Sequence, residues 1–484
     1  MKKLITTLIV LLLISTASYA DIIEPGVSNE SQYKEIVFLS GAPVEFTGKL
    51  QIKQSGKGDQ IKYTYDYNLT GPNGATLTRK VIYVVNENTD SELKQISTGL
   101  TLDPKAKVSE KITIGDKTYV LEEQILNKAS ITQDKSIIKY TSGTWNGRKT
   151  YSQGQNKVIV DIYGENYKYD NTWSTVETAM IRHIITYQNK VGTSSTVQES
   201  TGTVEYGVTN IREKEILSQQ SLPNQISFKE SYMISEKEEN TVVYKYDMPV
   251  ITNGKTTSRK TGEGSFKLTT MPKLTSLPIP QYQDIRGYWA EEDINRLFSL
   301  GVIDGNGKYF NPRIPINRAE FAKAIIKACG LEIDTEKQKP RSRKEVQEDI
   351  IFSDVDANHP YYPYIKKVTE LKLMNGTGYN TFGPDENLTK AQAVTILIRA
   401  LGLENMSTFN LGKTFADEDQ IPDWARKAIY VAEELDIIDP NEYNMIQPNN
   451  GLTRGEAANM LNRFITYLQK EIKTDYRERV VNFN

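Results

Sequence analysis

Two hydrophobic periods divide the chain. From about Tyr33 to Phe266 apolar and polar residues alternate, the period of strands with one wet face. Ile61–Leu69 sets Tyr63, Tyr65 and Tyr67 against Lys62, Thr64 and Asp66, and a Gly71-Pro-Asn-Gly74 turn signal leads into Val81–Val85. Lys111–Val120 reads as a hairpin turning at Gly115-Asp116. Two more hairpins are expected. One has strands Val158–Tyr163 and Tyr167–Tyr169 with a turn at Gly164–Asn166; the other turns at Glu238–Asn240, between Ser231–Ile234 and Val242–Tyr246. Short polar turns favour antiparallel pairing, since parallel crossovers need a dozen or more residues. The expected fold is all-β and antiparallel, in one or two units, sandwich-like or an extended meander. Thr175–Ile185 also suits a helix.

Near residues 270–281 three prolines among threonines and serines suggest a stiff linker. Beyond it the period changes to that of amphipathic helices, and the pattern repeats three times. The first copy runs from Gln283 through Gly301–Gly305 to Ile316–Ala322. The second runs from Phe352-Ser-Asp-Val355 through Leu373–Gly376 to Leu388–Ala393. The third runs from Phe415-Ala-Asp417 through Ile437–Asp439 to Leu452–Ala457. Each predicts a helix, a Gly/Asn-rich turn with an apolar plug (Phe310, Phe382) and a second helix. That second helix opens on a capping box: Asn317 to Glu320, Thr389 to Gln392, Thr453 to Glu456.

The residue after each cap is a cation: Arg318, Lys390, Arg454. A positive charge in the first turn opposes the helix dipole, at about 0.3–1 kcal/mol, so each asks for a compensating partner. One candidate is an acid of a neighbouring repeat, Asp284, Asp354 or Asp417. The other is an external carboxylate, held by the cation and the free helix-start N–H groups.

Composition adds mostly exclusions. The first twenty residues read as a secretory signal: Lys2 and Lys3, an apolar run Leu4–Ile14, then Ser18-Tyr19-Ala20. That run falls short of the roughly 20 residues a membrane helix needs, so no membrane segment is expected after cleavage. With 59 basic and 61 acidic residues, nothing points to nucleic acid. The single cysteine, Cys329, rules out an internal disulfide and reads as a small buried side chain. His183 and His359 stand without motifs, so no catalytic residue, metal ligand or cofactor is assigned.

The Trp-Ala openings, Phe-x-Asp starts and Asn-Arg-Ala-Glu or Thr-Arg-Gly-Glu helix starts resemble S-layer homology (SLH) domains. The resemblance implies an all-α pseudo-threefold domain with grooves between repeats. It also implies a ligand, a secondary cell-wall polysaccharide carrying a pyruvate ketal on N-acetylmannosamine, and a Gram-positive-type host. By position Arg318 and Arg454 match the family's carboxylate-binding cation. Asp284 and Asp417 match its hydroxyl acceptor, and Trp289 and Trp424 the aromatic lying against the sugar. Core packing is the other account of the tryptophans. The middle repeat has Asp354 at the acidic position but departs elsewhere, with Lys390 for arginine, Gln392 for glutamate and Tyr361 or Tyr362 as the aromatic closest to the missing tryptophan; lysine lacks arginine's bidentate fork.

The expected organisation is a signal peptide (1–20), a β-rich region (21–269) and the linker (270–281). Repeats follow at 282–331, 352–403 and 414–468, with a charged insert at 332–351 and a tail at 469–484. The expected function is a secreted cell-wall or S-layer protein displaying its β-rich region, with other surface-layer subunits as further partners. An anchored glycan hydrolase and an anchored adhesin are the alternatives.

Overall fold

The computed structural model describes residues 22–471 except 58–59, 136, 191–196, 220–230, 253, 280, 332, 334–351 and 405–414. The expected signal peptide, nearly all of the charged insert and the tail beyond residue 471 lie outside the described residues. Among the described residues no helix is long and apolar enough to cross a membrane.

Among the described residues the N-terminal half is one antiparallel sheet of fifteen strands. They are β1 (Gly26–Ser28), β2 (Tyr33–Val37), β3 (Val44–Lys57), β4 (Gln60–Thr70), β5 (Thr76–Asp90), β6 (Gln95–Leu102), β7 (Ser109–Ile114) and β8 (Lys117–Lys135). After them come β9 (Ile138–Gln153), β10 (Asn156–Asp170), β11 (Ser174–Lys190), β12 (Val197–Gln219), β13 (Ser231–Thr252), β14 (Lys255–Thr269) and β15 (Lys273–Leu277). Strands follow one another across the sheet except that β7 bridges β5 and β8, and β15 pairs with β13. The meander is therefore the form taken, as a single unit. β15 occupies part of the segment expected to be a linker. The sheet curls until β1 lies against its far end, where Asn240 Nδ2 donates to the Ser28 carbonyl at 2.6 Å.

Two expected hairpins are continuous strands instead. Residues 164–166 run through the middle of β10, paired on both sides. Gly164 faces Trp145 across the β9 pairing, and a Cβ there would sit 2.0 Å from the indole. The glycine makes room for a buried ring and makes no turn. Glu238–Asn240 likewise lie inside β13, paired with β12 and β14, and the Asn240 amide serves the sheet closure. The Gly115 turn stands as expected, with φ +60° between β7 and β8. Thr175–Ile185 is strand β11. Tyr65 and Tyr67 pack inward, stacked at 6.3 Å.

The inner face also buries charge. Arg79 donates to both Glu35 oxygens at 2.9 Å and to Glu110 at 2.7 Å, and Lys149 donates to Glu24 at 2.6 Å and to Glu110 at 3.2 Å. Three carboxylates face two cations, so removing either cation strands buried carboxylate charge, at about 3–5 kcal/mol. His183 lies beside them, edge-on to Tyr206. Burial lowers its pKa to about 4, with Glu24 pulling upward and Lys149 and Arg79 downward.

The C-terminal half holds six helices among the described residues: α1 (Glu291–Ser299), α2 (Arg318–Ala328), α3 (Tyr362–Glu370), α4 (Lys390–Leu401), α5 (Asp423–Glu434) and α6 (Arg454–Thr466). The first helix of each repeat packs on a second helix from another repeat: α1 on α6, α3 on α2, α5 on α4. Backbone bonds run the same way round. Ile316 N–H donates to Leu452 O, Leu452 N–H to Leu388 O, and Leu388 N–H to Ile316 O. Those three bonds close a ring.

The halves dock directly. Trp173 Nε1 donates at 2.8 Å to the Ala328 carbonyl, one of the unpaired acceptors at the end of α2. Ser174 Oγ donates to Leu468 O at 3.0 Å and Gln469 Nε2 to Lys214 O at 2.9 Å. Ile137, Ile138, Tyr169, Trp173 and Val176 join the helical core. Cys329 is buried behind this contact, as expected, and burial pushes its thiol pKa up.

Two predictions follow from the sheet. Gly164→Ala drives a methyl into Trp145 and should cost about 1–3 kcal/mol in urea unfolding; an unchanged midpoint would refute the close approach. His183 has a folded pKa below its ordinary value, so between about pH 4 and 6.5 the unfolded chain binds the extra proton. Stability should fall on acidification through that window, and His183→Gln should flatten the slope.

Candidate functional site

The site is built from the ring. At each second-helix start the first two backbone N–H groups are already bound by a loop of another repeat. Arg318 and Ala319 donate to Glu386 and Pro384, Lys390 and Ala391 to Asn450 and Pro448, Arg454 and Gly455 to Ile314 and Pro312. The helix-start N–H groups expected to be free are therefore occupied, because the loops cross directly over the helix ends.

Each loop is held by the repeat's aspartate. Asp284 accepts from Phe310 and Asn311, Asp354 from Phe382 and Gly383, Asp417 from Ile446 and Gln447. The second residue of each pair has positive φ (60°, 68° and 57°), a turn that would open without its two amide anchors. Burial raises the Asp354 pKa, but the amides of Phe382 and Gly383 prevail and hold it below the ordinary range. Asp417 is 1% exposed and has no surface to offer a sugar hydroxyl, which corrects its expected role. Asp284 and Asp354 are less enclosed.

The cations point into the loops of the next repeat. Arg318 is 6% exposed; its Nε donates to Phe382 O at 2.9 Å, its Nη2 to Asn375 O at 2.6 Å, and its guanidinium lies over the Phe382 ring at 4.8 Å. Arg454, 8% exposed, repeats this on repeat 1: Nε to Phe310 O at 3.0 Å, Nη2 to Asp304 O, the ring of Phe310 at 4.6 Å. Lys390 is shorter, and the plug in that loop is Ile446, so it makes neither contact among the described residues.

Carboxylate partners come from acids that the sequence showed only as helix caps. Arg454 Nη1 meets Glu320 at 2.6 Å and Lys390 Nζ meets Glu456 at 3.2 Å. Glu456 also completes its capping box, whereas Glu320 does not, so the expected box at Asn317 is half made. The three aspartates, expected as partners, hold amides instead. Burial pulls the Arg318 guanidinium below its ordinary range, while Glu386 and Asp354 pull it back from beyond ion-pair distance.

Trp289 and Trp424 are 62% and 59% exposed, so core packing does not account for them. Each stands directly before a buried alanine at a first-helix start, Ala290 and Ala425. The middle repeat has Tyr361 there, half-buried, followed by buried Tyr362. Tyr361, Lys323, Glu320, Asp304 and Arg454 line one small cleft, in which Lys323 pairs with Asp304. His359 caps the turn before α3, its Nδ1 accepting from Tyr361 N–H at 3.2 Å. Among the described residues no cluster of His, Cys, Asp and Glu could hold a metal ion.

The S-layer homology domain family matches residues 281–322, 351–394 and 414–458, the three segments that form the ring. The chain is 30% identical over 215 residues to the surface-layer 125 kDa protein of Lysinibacillus sphaericus, covering 43% of this chain and 17% of that one. It is 28% identical to an amylopullulanase of Thermoanaerobacterium thermosulfurigenes (37% of this chain, 9% of that one) and to the exoglucanase XynX of Acetivibrio thermocellus (41% and 17%). The chain thus spans less than a fifth of each relative's length, and relatives with very different names share the matched part. Three tandem S-layer homology domains occupy the C-terminal part of this chain, a secreted protein of the cell wall or surface layer.

Proposed function

We propose that the three repeats form a pseudo-threefold helical domain. It holds the chain on the wall by binding a secondary cell-wall polysaccharide through its pyruvate ketal, and the curled sheet is displayed outward. The observation that carries this is that each repeat supplies two features, a cation at its second-helix start and an aromatic at its first-helix start, the aromatic protruding in the first and third repeats and half-buried in the second. A pyranose offers an apolar face and polar edges, which suits an exposed indole. A ketal-linked carboxylate suits a guanidinium. Arg318, Arg454 and Lys390 supply the charge, and Trp289 and Trp424 the walls. Asp284 and Asp354 accept hydroxyls at the rim while holding the loops, and Asp417 only holds its loop.

Because the sheet docks on the ends of α2 and α6, the displayed half has a fixed orientation relative to the wall. Other copies in a surface layer would meet that half. The adhesin reading has one observation in its favour. The outer sheet face carries a trough of about 1070 Å³ with exposed Tyr163, Met180 and Val243. The amylopullulanase and exoglucanase relatives keep the anchored-hydrolase reading open.

The full chain should pellet with walls of its host, and removing the pyruvyl group from those walls should abolish binding. Arg318→Ala combined with Arg454→Ala should weaken it at least about tenfold; undiminished binding would sink the ligand assignment. Those arginines also hold loops, so Trp289→Ala and Trp424→Ala are the cleaner probes. Both side chains are exposed, and each change should leave the unfolding free energy within about 0.5 kcal/mol of the parent while reducing wall binding.

A further inference from the structure

Around the ring, two of the three cations reach the third helical residue of the next repeat. Arg454 of repeat 3 meets Glu320 of repeat 1, and Lys390 of repeat 2 meets Glu456 of repeat 3. The same step takes Arg318 of repeat 1 to position 392 of repeat 2, and that residue is glutamine. Gln392 still serves its helix, its Oε1 accepting from Thr389 N–H at 3.0 Å. It brings no charge.

We infer that the groove of Arg318 and Gln392 is the principal anion site of the three, and that residues 320, 392 and 456 decide which cations are open to ligand. Arg318 is more than nine-tenths buried, and its Nε and Nη2 are spent on carbonyls. Among the described residues its Nη1, the atom that in Arg454 holds a carboxylate, has no bonded partner, and no acid lies within ion-pair distance of its guanidinium. A buried cation of this kind is costly until a carboxylate reaches it. At Arg454 and Lys390 an incoming anion must first displace an internal glutamate; at Arg318 it need not. The middle repeat's departure from the pattern, which in sequence looks like a weakened site, is here what opens one. The chemical class of the ligand, a sugar-borne carboxylate, rests on the function proposed above.

The swap of charge at these positions tests the idea in the full chain. The probe is the methyl glycoside of N-acetylmannosamine bearing the pyruvate ketal, with the ketal-free glycoside as control, in titration calorimetry. Gln392→Glu should lower affinity for the carboxylated sugar about tenfold, and Glu320→Gln should strengthen binding at Arg454. A readout without sugar is the urea midpoint. Gln392→Glu should raise it in the parent but not in the Arg318→Ala background. If that coupling is absent, or if Gln392→Glu binds the sugar as the parent does while Arg454→Ala abolishes binding, the inference is overturned. If the coupling is present but the parent does not distinguish the two glycosides, the open cation stands and the pyruvate reading falls.

Discussion

A cation in the first turn of a helix sits in an unfavourable field, and the C-terminal half is organised around meeting that cost in three places. The compensation is not local. Arg318 and Arg454 leave their own helices and reach the loop of the next repeat, where carbonyl oxygens and an aromatic face surround the guanidinium. Each aspartate fixes a loop that covers a helix start, and the loops of Asp354 and Asp284 also receive an arginine. No repeat completes these interactions alone. The ring Ile316–Leu452–Leu388 is the backbone expression of the same dependence, since one copy alone would leave its second-helix start uncovered.

The ring also settles how the sheet attaches. Its second helices end on the side where α2 and the last turn after α6 present carbonyls at Ala328 and Leu468, and strand β11 with the turn before it supplies Trp173 and Ser174 to cap them. Unpaired helix-end acceptors are satisfied by another part of the fold, and apolar residues of β9–β11 seal the contact. The boundary that composition marks so sharply is therefore a change of secondary structure, not a gap between free bodies; β15 carries the sheet across it.

Much of this was legible in the sequence where the signal is local. Period, caps and the odd cation after each cap all lie within a few residues of one another, whereas the Trp-Ala pairs left core packing open until the structure showed both rings exposed. What failed to show is long-range. Gly164 looks like a turn until Trp145, a strand away, explains its missing side chain, and Asn240 looks like one until Ser28 takes its amide. Glu320 and Glu456 pass as helix caps because the cation each one faces lies in another repeat.

Position 392 shows how one residue can serve its own helix unchanged and still alter a neighbouring repeat. Glutamine caps a helix as well as glutamate does, since the capping bond needs only an oxygen, so α4 starts as α6 does. The difference is felt in repeat 1, where Arg318 keeps the carbonyl contacts of its class but lacks the carboxylate that Arg454 has. A substitution neutral at the cap thereby changes the charge balance of a groove built from two repeats. In a ring of this kind a cation's partner comes from another repeat, so the repeat that diverges is not the only one whose ion pairing changes.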